Sequence, residues 1–450
     1  MKRKLMKLSL AVTIALSGFF MSATVEGTNS VQAVSKDLSK YSVNKLKRFN
    51  ENRAFRTIYH LSETIGPRVA GSLEEKKSAR FIASQLKKSK LKVKTQKFDI
   101  PDRLKGALTV QGHEVPSRPA TGSAPTPEKG LTAPLYKAGL GRTGDFTKDV
   151  KGKVAVISRG ELTFYEKAKN AADAGAVAVI IYNNRDSLAT LIPNLAGKTV
   201  DIPVVGIGKE DGEKLLTKTK ATLKLDALKH QTSQNVIGIR RAKGVKKPDI
   251  VYITSHYDSV PYGPGANDNA SGTSVVLELA RTMKNIPADK EIRFIAFGAE
   301  EIGLLGSEYY VSKLSGQEVK RSAANFNLDM VATNWENASQ LNINTLDGSG
   351  NLVWTLSKQA ALNLKKGAVL HLSKGGSSDH VPFHEAGIDS ANFIWQEPET
   401  GALEPWYHSP YDTIDHISKK RLRITGLIAS HAVYDFVKKN KWQKGICVNS

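Results

Sequence analysis

At 450 residues, with 40% hydrophobic content, the chain is long enough for two cores and too apolar to be disordered or fibrous. Its net charge of +22 raises nucleic acid as a partner, yet Lys and Arg are scattered through KKSKLKVKTQK, RRAKGVKK and KKNKWQK without the interleaved aromatics that stack bases. The expectation is therefore no nucleic-acid partner, and a charge that fits attraction to an anionic cell envelope or simple solubility.

The chain opens with Lys2, Arg3, Lys4 and Lys7, followed by the apolar run LSLAVTIALSGFFM. That run falls short of the ~20 residues that span a bilayer, so it reads as a signal peptide and not as an anchor. Cleavage fits after Ala23 or after Ala33, and Val31 with Ala33 makes the better small-residue pattern, so residues 1–33 are assigned to the leader. No later run reaches transmembrane length, and the mature chain, at about +19, is expected to be secreted without a membrane anchor. Cys447 is the single cysteine and reads as an incidental tail residue; export without disulfides suits a bacterial route.

From Asn50 to Leu86 the periodicity is helical, broken at GPRVAGS, and it leads into the alternating strand LKVKTQKF. A Pro-, Gly- and Ser-rich passage from Pro101 to about Gly130 reads as a boundary. Then come KVAVISRG, the helix FYEKAKNAADAGA, VAVIIYNN and DIPVVGIGKEDGEKLL, a unit ending near Gln231. Beyond it strands and helices alternate: VIGIRRA, DIVYITSHYD, helix GTSVVLELARTMK, EIRFIAFG, helix LLGSEYYVSKL, AANFNLDM, SQLNINTL, helix NLVWTLSKQAALN, IDSANFIW, and a C-terminal helix from about Ser418. This alternation predicts an α/β fold, a mixed, largely parallel sheet between helices. Residues 34–102 and 231–450 form one domain on this reading, with 103–230 inserted as a smaller one.

In such sheets ligands bind beyond the carboxyl ends of the strands. Just past those ends stand His256 and Asp258 in SHYDS, Glu300 and Glu301 in FGAEEIGLLGS and Asp329 in NLDM, with Asp268 in GANDNASGTS at a helix start and His408 in PWYHSPYDT after a strand and a loop. Singly, each has an ordinary explanation: an Asp at a strand end is most often a cap, and adjacent Glu pairs are usually solvated. Jointly, two histidines and several carboxylates on one rim suit zinc. They are too many for one tetrahedral ion unless one bridges a pair, and Asp268, at a helix start, is the natural bridge.

Taken in order, HYDS, GANDNASGTS, FGAEEIGLLGS, NLDM and YHSPYDT resemble the signature set of the M28 family of zinc aminopeptidases. The resemblance covers GPRVAGSLEEKKSARFI and about Asn235 to Val437, and KGKVAVISRGELTFYEKAKNAADAGAVAVIIYNN resembles a protease-associated (PA) domain. It implies a zinc exopeptidase-like fold, two zinc ions and peptide substrates with a free N-terminus. One zinc would be held by His256 and Asp329, the other by Glu301 and His408, with Asp268 between them. Glu300 would be the general base, Asp258 would orient His256, and the Tyr407 phenol would stabilise the oxyanion. A cis peptide between Asp268 and Asn269 is also implied, and Ser378, Asp379 and His380 would line the substrate pocket. The PA-like insertion is expected to restrict access to short peptides.

His380 and His384, four apart and followed by Glu385, suggest a helical zinc pair, but Pro382 between them argues against a regular helix, and His384 reads as structural. AGLGRTGDF lacks the strand and helix context of a nucleotide loop. Two alternatives share the fold: a single-zinc acyltransferase resembling glutaminyl cyclase, and a binding protein that has lost its metals. The presence of every candidate ligand and of Glu300 speaks against the second.

Overall fold

The computed structural model describes residues 49–438, so the leader segment and Cys447 lie outside the described residues. After the helices Glu51–Tyr59 and Leu73–Lys88, strand β1 (Lys92–Asp99) enters a sheet that resumes only about 130 residues later. Ser72 starts the second helix by accepting the Glu75 amide at 3.1 Å.

Between these parts the chain forms β2 (Arg103–Val110), β3 (His113–Val115), β4 (Ser117–Pro119), β5 (Leu131–Lys137), β6 (Val154–Ser158), β7 (Ala178–Tyr182), β8 (Val204–Ile207) and β9 (Lys220–Leu228). These eight strands make a sheet of their own, in the order β3, β2, β9, β5, β6, β7, β8, β4. The passage after Pro101, read from composition as a boundary, thus contains three strands. RLKGALTV is held by antiparallel pairing with β9, from Arg103 opposite Leu228 to Thr109 opposite Thr222. Such a partner, more than a hundred residues away, leaves no local signal.

The first sheet resumes with β10 (Thr232–Arg240), β11 (Ile250–His256), β12 (Glu291–Phe297), β13 (Ser322–Leu328), β14 (Gln340–Thr345), β15 (Leu370–Lys374) and β16 (Ser390–Gln396). Its order is β1, β10, β12, β11, β13, β16, β14, β15. The four central strands β12, β11, β13 and β16 run parallel, and β1/β10, β10/β12 and β16/β14 pair antiparallel. The mixed α/β architecture is the one expected. Helices cover both faces, so IVYITSH is buried along its whole length, as central parallel strands are. Helices Gly272–Met283 and Lys419–Val437 supply much of the main core, and each buried Leu, Ile or Phe there contributes roughly 1.5–3 kcal/mol.

Inside this apolar frame runs a polar ladder. Thr254 Oγ1 lies 2.8 and 2.9 Å from the carboxamide oxygens of Asn325 and Asn327. Asn325 Nδ2 donates to Ser390 Oγ at 3.0 Å, and Asn327 Nδ2 donates to Asn392 Oδ1 at 3.0 Å and to Ser378 Oγ at 2.9 Å. Buried amides are costly unless bonded. Here the bonds tie β11, β13 and β16 together directly beneath the rim on which the acidic residues emerge.

Candidate metal centre

Because β11, β12 and β13 are parallel, their carboxyl ends open on one side. His256 ends β11, Glu300 and Glu301 follow β12 after a turn with Ala299 at φ 59°, and Asp329 follows β13. Asp268 comes from the segment Ala266–Ser271, where Asp268 and Asn269 leave helical geometry and the peptide between them is cis. Gly272, which starts the next helix, sits so close to Leu328 O that a Cβ would overlap it. Only glycine lets this segment lie against the end of β13. His408, at φ 54°, reaches in from the loop before the C-terminal helix.

These side chains form two groups that share one residue. His256 Nε2 is 3.3 Å from Asp268 Oδ1 and 3.3 Å from Asp329 Oδ1. His408 Nε2 is 3.1 Å from Asp268 Oδ2 and 3.0 Å from Glu301 Oε2. The two oxygens of Asp268 thus face two different imidazoles. Ligand atoms at the corners of a tetrahedron around zinc are about 3.4 Å apart. The histidine-to-carboxylate distances in both groups come near that spacing, and within each group, His256 with Asp268 and Asp329 and Asp268 with Glu301 and His408, the ligand atoms all lie within 4.8 Å of one another. Glu301 Oε1 is buried without a hydrogen-bond partner among the described residues, a further sign of a site built around a cation.

The electrostatics agree. Burial pushes the Glu300 carboxyl well above the ordinary carboxylate range, and Asp379 and Glu301 add to the push. Burial likewise raises Glu301, with Asp268 beside it. Burial disfavours the charged His408 ring, but Glu301 and Asp268 overcome this and raise it to about 10; Glu300 and Asp329 act in the same direction on His256. Asp268 is the exception among the carboxyls: burial opposes its charge, yet His256 and His408 hold it well below the usual range. Carboxylates crowded out of water need positive charge between them.

Asp258 is fully buried, and its oxygens accept the amides of Glu300 (3.1 Å) and Glu301 (3.2 Å). It therefore fixes the backbone of the acidic pair, while His256 Nδ1 lies 3.6 Å away, beyond hydrogen-bond length. The Tyr407 ring stacks on His408, centroids 3.8 Å apart, and burial followed by the charges of Asp268 and Glu301 keeps its phenol protonated. Ser378 Oγ donates to Asp329 Oδ2 at 2.8 Å, which ties the 378–380 loop to the Asp329 end. Asp379 and His380 are fully buried there; burial pushes Asp379 up to about 7 and His380 down to about 4. The expectation of no regular helix around Pro382 needs correction, since Val381–Glu385 is a short helix. Pro382 lies in its first turn, where a missing N–H costs nothing. His384 is not among the residues that the metal groups draw together.

Four residues escaped sequence reasoning. Asp412 accepts the amides of Asn267 (2.8 Å) and Asp268 (3.0 Å), and so grips the segment that presents the shared carboxylate. Asn267 Nδ2 donates to Glu404 Oε1 at 2.6 Å. Arg68 is fully buried and donates to the carbonyls of Tyr257 (2.7 Å), Pro264 (2.5 Å) and Gly265 (2.8 Å). Asp412 and Arg68 lie in YHSPYDT and GPRVAGS, stretches already singled out, but no local pattern says that their partners are backbone atoms near Asp268.

Residues 235–433 match peptidase family M28, and residues 126–215 match the PA domain. The chain is 63% identical over 398 residues to aminopeptidase YwaD of Bacillus subtilis, covering 88% of this chain and 87% of that protein. It is 31% identical to a probable lipoprotein aminopeptidase, LpqL, of Mycobacterium tuberculosis, covering 82% and 80%. Among solved structures, a zinc aminopeptidase from Bacillus subtilis superposes with a TM-score of 0.77 at 63% identity, covering 88% of this chain and 97% of that one.

Proposed function

The chain belongs to peptidase family M28 and is a zinc-dependent aminopeptidase; from that premise we propose that it removes N-terminal residues from peptides with two zinc ions and with Glu300 as general base. The observation that carries this reading is Asp268, whose two oxygens each face a different histidine. His256 and Asp329 would hold one ion and Glu301 and His408 the other, with Asp268 shared between them.

Zinc so placed supplies a Lewis acid that polarises a peptide carbonyl and makes water acidic at neutral pH. The protein's own groups do the rest. The Glu300 carboxylate lies 3.9 Å from His256 Nε2, beside the ligand atoms and not among the closest of them, where it can take a proton from water and return it to the departing amine. Asp258, which holds the amides of residues 300 and 301, keeps the base and the ligand aimed in different directions and stands beside His256. Glu300 and Asp329 suit a free α-ammonium, while Ser378, Asp379 and His380 at the Asp329 end would line the pocket for the first side chain.

The Tyr407 hydroxyl would donate to the oxyanion. Tyr407→Phe is expected to lower kcat by about 10²-fold with zinc content unchanged and KM moved by less than about threefold. A loss expressed in KM alone would remove the phenol from that role.

We further assign residues 34–102 and 231–450 to the peptidase domain and 103–230 to the PA insertion. In support, the second sheet draws only on residues between 103 and 228. Secretion through a leader at residues 1–33 rests on the basic-then-apolar pattern there; among the described residues no helix is long and apolar enough to cross a membrane. The deciding experiment is zinc analysis with hydrolysis of Leu-Gly-Gly and its N-acetyl form. About two zincs per chain, cleavage of the free peptide only, and loss of activity on chelation with recovery on adding zinc are expected. Full activity in a zinc-free protein, or cyclisation of N-terminal Gln peptides without cleavage of Leu-Gly-Gly, would overturn the reading.

A further inference from the structure

The candidate pocket for the first side chain hangs on the Asp329 end of the centre, whereas a cavity of about 730 Å³ opens at the opposite end, beside Tyr407. One wall is the loop that carries Leu403, Glu404 and Tyr407; the other comes from the inserted block, with Leu188 and the helix Lys209–Leu215. A peptide whose first residue sits at residues 378–380 and whose scissile bond lies over the ligands would run its remaining residues into this cavity.

The lining is unusual for a chain of net charge +22. Asp186, Glu210, Glu213 and Glu404 face it against a single basic residue, Lys209, and Lys209 is already tied to Asp186 at 2.5 Å. Glu210 is paired with Lys214 at 2.7 Å, which leaves Glu213 and Glu404 as the acids of the lining outside any ion pair among the described residues. Glu404 carries the more telling signal. It is 2% exposed, Oε1 is used by Asn267, and Oε2 is buried without a partner. A buried acceptor without a partner in the wall of a cavity is costly unless a donor reaches it. Burial and nearby Asp412 push the Glu404 carboxyl up to about 8, and an incoming cation would draw it back to the charged form. Leu188, 43% exposed, supplies apolar surface for the stem of a long side chain.

We propose that this cavity is a subsite for the peptide on the leaving side of the scissile bond, selective for a lysine or arginine at the second or third residue, with Glu404 and Glu213 as the recognising acids. The proposal rests on the aminopeptidase reading above and adds to it a role for the insertion in choosing substrates.

The test compares Leu-Lys-Ala-Ala and Leu-Ala-Lys-Ala with their Glu counterparts, at low and high salt, on the full-length zinc-loaded enzyme. At least one Lys peptide is expected to exceed its Glu counterpart by about fivefold or more in kcat/KM, mainly through KM, with the gap narrowing as salt rises. Glu213→Lys, an exposed substitution, should abolish or invert that preference, and Glu404→Gln, which keeps an acceptor for Asn267, should reduce it. Equal kcat/KM for Lys and Glu peptides at low salt, or a preference untouched by Glu213→Lys, would overturn the subsite. Leucine p-nitroanilide separates the two ideas: if it is cleaved while the peptides show no discrimination, only the subsite falls. If it is not cleaved at all, the aminopeptidase reading falls and the subsite with it.

Discussion

Glu300→Gln is expected to lower kcat by about 10²–10⁴-fold while leaving the zinc content at its wild-type value. The substitution keeps the shape of the side chain and removes only its capacity to carry a proton. Glu300 approaches His256 Nε2 no closer than 3.9 Å, whereas Glu301 lies 3.0 Å from His408 Nε2. The neighbouring substitution Glu301→Gln should therefore act differently, by weakening zinc binding itself. Zinc stoichiometry measured beside kcat separates the two roles. If both variants lost activity alike with zinc fully retained, the division of labour between the adjacent acids would be wrong.

The second large effect is expected at Asp268. An asparagine there keeps one oxygen and replaces the other by an NH₂ group, which cannot serve as a metal ligand on that side. Zinc should fall from about two per chain to one or fewer, and activity by about 10³-fold or more. Adding zinc should raise the Tm of the wild-type protein, because binding to the native state alone stabilises it, and should raise that of the variant much less. Two tightly held zincs and near-normal kcat in Asp268→Asn would mean that the two groups of ligands do not depend on a shared carboxylate.

Much of this centre was legible before any coordinates. Apart from His408, which sits in a loop, each candidate ligand follows a strand or lies near a helix start, and parallel strands flanked by helices put their carboxyl ends together as a matter of topology. Hence His256, Glu300, Glu301 and Asp329 could be listed from periodicity alone. The helix start around Asp268 was legible too, but the way its two oxygens are turned was not. That orientation depends on Asp412 holding the amides of residues 267 and 268, on Arg68 holding the carbonyls before them, and on Gly272 lying against Leu328.

The features that local sequence does not show have the same origin. Strand β2, after Pro101, leaves no local signal because its pairing with β9 is a property of residues more than a hundred positions apart. Asn325 and Asn327 are polar residues of strand β13, yet both are fully buried in the ladder that leads to Asp329. Asp258 stands 3.6 Å from His256 Nδ1, and no motif position indicates that it also accepts the amides of Glu300 and Glu301.

By itself, then, the sequence determined the class of fold, the family and the candidate ligands, because these follow from local periodicity and from short motifs whose chemistry is carried by residue identity. Tertiary structure alone decided which oxygen faces which histidine, which buried groups brace the centre, and that the inserted block forms one wall of a cavity beside Tyr407. Those are relations between atoms far apart along the chain, and only the packing of two sheets and their loops sets the distances on which coordination and recognition depend.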